Sequence, residues 1–221
     1  VPDVREGLVA EFKFDETSGS VAMDTSESGL EGFVRGQPEW VQGYCGSALK
    51  FDGIDDYVHV GDRDEIEVNT YTVAAWCKSD GNTTDHIRQE ILEKADSYWM
   101  NIRNDSQLVR SGGFYGDCSI EQQWFYTDSE TPVQWNTWYH LAASYDGTRL
   151  RVYINGQLQS DLLVDLPHCI DRDKLLVIGA KKEYDDTPAE AYFSGTLDEV
   201  RIYARSLTQE EIIRVMHACA L

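Results

Sequence analysis

The chain has 221 residues, 42% of them hydrophobic, with 39 acidic and 19 basic side chains and a formal net charge of −20. That is enough for one substantial core, and a field of this sign repels nucleic acid and anionic membrane, so neither is an expected partner. No apolar run reaches the length of a membrane span, and the start at Val1-Pro2, without a signal peptide, reads as a mature or excised module.

Leu8, Ala10, Phe12 and Phe14 alternate with Val9, Glu11, Lys13 and Asp15, which predicts a strand with the first set inward. Thr17-Ser18-Gly19-Ser20 breaks it, and Val21–Asp24 is a short extended piece before the polar loop Thr25–Gly29. Such a small, oxygen-rich loop can curl carbonyls around a hard cation, although taken alone it reads as an ordinary turn. Ala48–Phe51 and Tyr57–Val60 form a hairpin across Asp52-Gly53-Ile54-Asp55-Asp56. Thr70–Lys78 is apolar on both faces, as a central strand should be.

In the middle of the chain, Ile91–Lys94 and Tyr98–Arg103 make a pair with Tyr98, Met100 and Ile102 inward and Trp99, Asn101 and Arg103 outward. Leu108-Val109-Arg110 follows, then a Gly-rich segment, Ser111 to Gln122, expected to be a long loop. In Gln123–Thr127, Phe125 points inward and turns Trp124 and Tyr126 to the other face. Trp138–Tyr145 and Leu150–Ile154 are joined through Asp146-Gly147, and Asn155-Gly156 is a hairpin signal that accepts positive φ. Leu175–Ile178 is a later strand, and Lys181–Glu190 a charged loop. Gly195–Ala204 is strongly alternating, with Asp198 in phase with the apolar Val200 and Ile202. Thr208 and Glu211 then form a capping box for a short helix carrying Ile212, Ile213, Val215 and Met216. Short strands with turn chemistry between them and one terminal helix predict an all-β fold, a two-sheet antiparallel sandwich.

A carboxylate on a core face is costly unless it meets a cation or several donors. Strict alternation puts Asp198 there, with three classes of partner open to it: a basic side chain such as Arg5, backbone N–H groups, or a bound cation. A calcium site built from Asp24, Asp198 and loop oxygens near Ser28 and Gly29 is the expectation, since calcium accepts an irregular oxygen set. His59, His86, His140, His168 and His217 show no zinc spacing, and no nucleophile elbow or phosphate cradle occurs. Glycoside hydrolysis needs two carboxylates flanking one bond. Glu65 and Glu67 lie beside turn residues, and alternation sends Asp198 and Glu199 to opposite faces, so a hydrolase of that design is disfavoured. Flat aromatic rings match the C–H faces of sugars while polar neighbours bond the hydroxyls. Trp99, Asn101, Arg103, Arg110, Trp124 and Tyr126 offer that mixture on one sheet face; the competing expectation is that Trp99 and Trp124 pack beneath the segment Ser111 to Gln122.

Cys45, Cys77, Cys118, Cys169 and Cys219 lack metal-site spacing, so some are expected to be bridged in an oxidising compartment, with the pairing open.

Several segments carry a resemblance. Gly7–Asp15, Ala48–Val58, Trp138–Ala142, Tyr145–Gly156 and, most closely, Gly195–Tyr203 are similar to laminin G-like domains of the concanavalin A-like jelly-roll type. The likeness spans nearly the whole chain, 1–221, read as a single domain. It implies a jelly-roll sandwich serving as a carbohydrate-binding or adhesion module of secreted proteins, with a structural calcium. The five cysteines and the acidity depart from what that fold requires and suggest an extracellular setting. The expectation is therefore a noncatalytic glycan- or polysaccharide-binding module within a larger secreted protein. A polysaccharide lyase or hydrolase module is the first alternative, and a protein-binding adhesion domain the second.

Overall fold

The computed structural model describes residues 4–81, 83, 87–117 and 121–218; His86, Cys118 and Cys219 lie outside them. The chain enters with β1 (Leu8–Phe12), β2 (Val21–Met23), β3 (Glu31–Arg35), β4 (Glu39–Gln42), β5 (Ser47–Asp52) and β6 (Tyr57–Gly61), then a 3-10 turn at Asp64–Ile66. The middle comprises β7 (Tyr71–Ser79), β8 (Arg88–Lys94), β9 (Tyr98–Arg103), β10 (Val109–Asp117) and β11 (Glu121–Asp128). It closes with β12 (Tyr139–Tyr145), β13 (Arg149–Ile154), β14 (Gln157–Leu163), β15 (Leu176–Ile178), β16 (Ser194–Tyr203) and the helix α1 (Gln209–His217). No described helix is long and apolar enough to cross a membrane.

Two antiparallel sheets result. The first runs β14-β13-β12-β7-β16-β5-β4, with β1 also on β16; the second runs β11-β10-β9-β8-β15-β6-β3-β2. Side chains from both, among them Phe12, Leu49, Val73, Met100, Leu141 and Ile178, bury themselves in one shared core. The fold is the all-β sandwich that the sequence predicts, including the capping box: the Thr208 side chain accepts from Glu211 N, and the Glu211 side chain accepts from Thr208 N.

β16 is the spine of the first sheet. Its first half pairs with β5, its second half with β1, and β7 runs along the other edge. β1 and β16 are antiparallel, with Glu11 opposite Arg201 and Phe12 opposite Val200, so the two chain ends close the sheet together. A bulge interrupts the β16–β7 register between Asp198 and Arg201, with Glu199 at φ 50°. An inserted residue reverses which face the following side chains take. The phase inferred for Asp198 is therefore wrong: Leu197, Val200 and Ile202 are the core residues. Asp198 lies opposite Trp76 on the outer face, and the turn bearing Gly43, Tyr44 and Cys45 covers it.

The segment expected to be a loop after Arg110 is instead the hairpin of β10 and β11. Its glycines reflect crowding rather than a turn. A side chain at Gly112 would collide with the Phe125 carbonyl oxygen and come within 2.6 Å of the Trp99 ring. Asn155-Gly156 does form the tight hairpin turn, with φ of 50° and 73°.

Beneath Arg5 and Thr25 sits a buried charge network. The fully buried Glu11 receives Arg201 Nη2 at 2.9 Å, Arg5 Nη1 at 2.7 Å and the Thr25 hydroxyl at 2.6 Å, and Arg201 also meets Glu199 at 2.8 Å. Removing one partner of a buried ion pair strands the other, at about 3–5 kcal/mol. Arg201→Ala should lose stability on that scale in denaturant unfolding; a loss no larger than that of a surface substitution would show that the network is not what closes the sheet.

Candidate functional site

The outer face of the second sheet carries a cleft. The strand register builds it as rows: Glu93, Trp99, Gly112 and Tyr126 lie side by side across β8, β9, β10 and β11, and Glu90, Asn101, Arg110 and Asp128 form the next row. Arg88 and Arg103 make a third, shorter row. Gly112 leaves the floor open where the Trp99 indole lies down. All six residues singled out by alternation line this one cleft: Trp99, Asn101, Arg103, Arg110, Trp124 and Tyr126.

Three more residues line it that alternation did not select, Arg88, Glu90 and Glu93. The cause is a second bulge, between Glu90 and Leu92, which sends both Ile91 and Leu92 into the core. Glu90 and Glu93 therefore share a face although three residues apart, a parity that strict alternation forbids. The signal available was the apolar pair Ile91-Leu92 between two acids.

The aromatic residues differ in exposure. Trp124 is 52% and Tyr126 48% exposed, whereas Trp99 is 5% exposed. Trp124 leans on Phe114 with ring centroids 4.2 Å apart, and on Trp99 at 6.5 Å. The Trp99 ring thus forms part of the floor, and Trp124 and Tyr126 stand as the solvent-facing rings. Arg110 lies 4.0 Å over the Tyr126 ring and is held by Asp128 through two bonds of 2.6 and 2.7 Å. Arg103 is held in the same way by Asp105.

The polar floor is incompletely satisfied. Glu90 Oε1 accepts from Arg88 Nε at 2.6 Å and Asn101 Nδ2 at 3.0 Å. Glu90 Oε2, Asn101 Oδ1 and Trp99 Nε1 are buried without a hydrogen-bond partner. Buried polar atoms without partners are rare and point to a missing one. The cleft holds about 110 Å³, below the roughly 300–1,000 Å³ of drug-sized sites, so it suits one ring and not a long segment.

The proposed metal ligands lie elsewhere. Asp24 Oδ1 accepts from Glu11 N and Ser26 N, and Oδ2 from the Ser26 hydroxyl and Leu30 N. Ser28 N donates to the Ser26 hydroxyl oxygen at 3.1 Å, and Gly29 takes φ 64°. Asp198 Oδ2 accepts from Cys45 N at 2.9 Å, while Oδ1 is buried without a partner. Of the partners considered for Asp198, the structure supplies backbone N–H; Arg5 is engaged by Glu11 and by the Thr25 carbonyl.

The model for the Concanavalin A-like lectin/glucanases superfamily matches residues 52–213, and the chain belongs to this family. Among solved structures, domain 4 of AbnA, a GH43 extracellular arabinanase from Geobacillus stearothermophilus in complex with arabinotriose, matches with TM-score 0.68 and 23% identity, over 96% of this chain and 99% of that one. The receptor binding domain of botulinum neurotoxin C/D mosaic serotype matches with TM-score 0.71 and 17% identity, over 99% and 52%. The binding domain of botulinum neurotoxin DC in complex with SialylT gives 0.72 and 13%, over 97% and 52%, so the chain spans about half the length of these toxin domains. At such identities the likeness is one of fold. A comparison with curated proteins found no match.

Burial raises the Glu90 pKa to about 7, against the opposing Arg88, Asn101 and Lys181. Burial and the neighbouring Glu90 raise that of Glu93, against Lys181 and Arg88, with Asp96 adding to the rise. A carboxyl whose pKa is higher folded than unfolded favours the fold at low pH, and that contribution is lost as pH rises from about 4.5 towards 7. The wild-type melting temperature should fall across this window more steeply than that of the E90Q/E93Q double variant, by roughly 2–4 °C per kcal/mol recovered. Parallel melting curves for the two proteins would contradict this.

Proposed function

We propose that this chain is a noncatalytic carbohydrate-binding module that takes a sugar residue of a glycan or polysaccharide into the cleft of β8–β11. One observation carries the reading: two half-exposed aromatic rings stand over three buried polar atoms that lack partners. A sugar ring has both complements, an apolar C–H face for the rings and hydroxyls that donate and accept. The AbnA domain bound to arabinotriose supports it through a shared fold.

Secretion and disulfides belong to the same proposal. Cys77 is a buried free thiol and so the odd cysteine among the described residues, while Cys45 and Cys169 are not free thiols, which supports bridging in an oxidising compartment. A multidomain secreted parent and a structural calcium complete it. The calcium would be held by Asp24, Ser28, Gly29 and Asp198. The unpartnered Asp198 Oδ1 supports it, whereas Asp24 would have to exchange four donors for the cation. A second reading, glycoside hydrolysis, is favoured by the two buried acids Glu90 and Glu93 facing one cleft. Release of reducing sugar from a polysaccharide panel, lost in E90Q, would establish it over binding alone.

Trp124→Ala should weaken glycan binding by about 1–3 kcal/mol, on the scale measured for bases stacked on aromatic rings, with little change in melting temperature. Trp99→Ala should lower both, because its ring is buried. Calorimetry with a glycan panel checks this, and binding indifferent to W124A would remove the cleft from consideration. For the metal, calcium should raise the wild-type melting temperature by mass action, and Asp198→Asn should abolish the rise. Indifference to calcium and chelator alike would leave Asp198 as a backbone-held acid.

A further inference from the structure

We propose that the cleft selects the uncharged, hydroxyl-rich end of a glycan and rejects sugars that carry a carboxylate. The inference rests on the carbohydrate-binding reading above and specifies its ligand class. Three arginines line the cleft, which superficially suits an anionic sugar. Each guanidinium is already committed to a carboxylate of this chain: Arg88 to Glu90, Arg103 to Asp105 and Arg110 to Asp128. The last two are two-point pairs, the arrangement that a sugar carboxylate would itself require. An acidic ligand that sought the same Nε–Nη2 edge would have to break such a pair and leave an aspartate unmatched.

The floor adds to this. Glu90 and Glu93 are 1% and 3% exposed, so a ligand carboxylate entering beside them would lose its water where the lining arginines are already paired. Their raised proton affinity has the same origin. The unpartnered atoms have the complementary preference. Glu90 Oε2 and Asn101 Oδ1 are acceptors and need hydroxyl donors, and Trp99 Nε1 is a donor and needs a hydroxyl or ring oxygen. Neighbouring hydroxyls on one neutral ring supply both kinds. The small volume limits the ligand to one ring, as at a chain end. Beyond contact range, the net charge of −20 disfavours the approach of any polyanion.

The test uses the whole chain and matched ligands that differ only in acidity, galacturonan oligosaccharides against their methyl esters and sialyllactose against its methyl ester, titrated by calorimetry at low salt. The neutral member of each pair should bind at least about 10-fold more tightly, since the acidic one must shed its water beside arginines that are already paired. Asp128→Asn, which releases Arg110, should narrow that preference. Equal or tighter binding of the acidic member by the wild type would overturn the inference while leaving the carbohydrate reading intact. No binding to any glycan by folded protein, or binding that W124A leaves unchanged, would overturn the reading of the cleft itself and the inference with it.

Discussion

The fold depends on a carboxylate that water does not reach. Glu11 is fully buried on the outer face of the first sheet, where a lone charge would be expelled or neutralised. Burial pushes its pKa upward, but Arg201, the Thr25 hydroxyl and Arg5 outweigh burial and hold it below the ordinary carboxylate value. These partners come from the segment before β1, the loop after β2 and the last strand. One acid therefore ties the start of the chain to its end. It also explains the bulge at Glu199: the extra residue lets Glu199 share Arg201 with Glu11 while Val200 and Ile202 still face the core. The cost is a non-glycine residue at φ 50°.

The sequence was readable wherever the two-residue period was unbroken. Trp99, Asn101 and Arg103 on β9, and Trp124 and Tyr126 on β11, fell on the predicted face because the register from β9 through β10 to β11 has no insertion. Glu90, Glu93 and Asp198 were missed or misplaced for one reason, a bulge beside each. A bulge without glycine leaves at most a paired apolar step such as Ile91-Leu92, so alternation runs past it and assigns the wrong face. The Gly-rich β10 failed in the opposite direction. There glycine marks backbone and indole packed too closely for a side chain, where the composition suggested a long loop. β3 and β4 escaped notice because neither shows a clear apolar alternation.

The two sheets divide the labour. The first holds the chain ends, the buried ion network and the packing of α1 through Ile212 and Val215. The second carries the cleft on strands fixed by core residues of the opposite parity, Tyr98, Met100 and Ile102 beneath Trp99, Asn101 and Arg103. Each site residue thus stands on a strand whose alternate residues are locked in the core, which presets the cleft before a ligand arrives. The exposed Trp124 and Tyr126 contribute little to that framework, so they are free to serve a ligand.

The buried acids show how structural and ligand-seeking carboxylates can be told apart. Glu11 is held below its usual value by Arg201, the Thr25 hydroxyl and Arg5, with Arg201 facing its Oε1 at 2.9 Å. Asp56 is raised by burial, yet both its oxygens accept backbone N–H groups, from Gln37 and Asp52, and it holds a turn. A raised pKa alone is therefore no mark of a site. Glu90 and Asp198 combine the rise with a buried oxygen that makes no hydrogen bond. Such an atom has lost its water and gained nothing in return, at about 1–3 kcal/mol. A sugar hydroxyl at Glu90, or a cation at Asp198, would recover that energy on binding. On the proposed reading, Glu90 and Asp198, on opposite sheets, thus hold in reserve part of the free energy that a ligand would release.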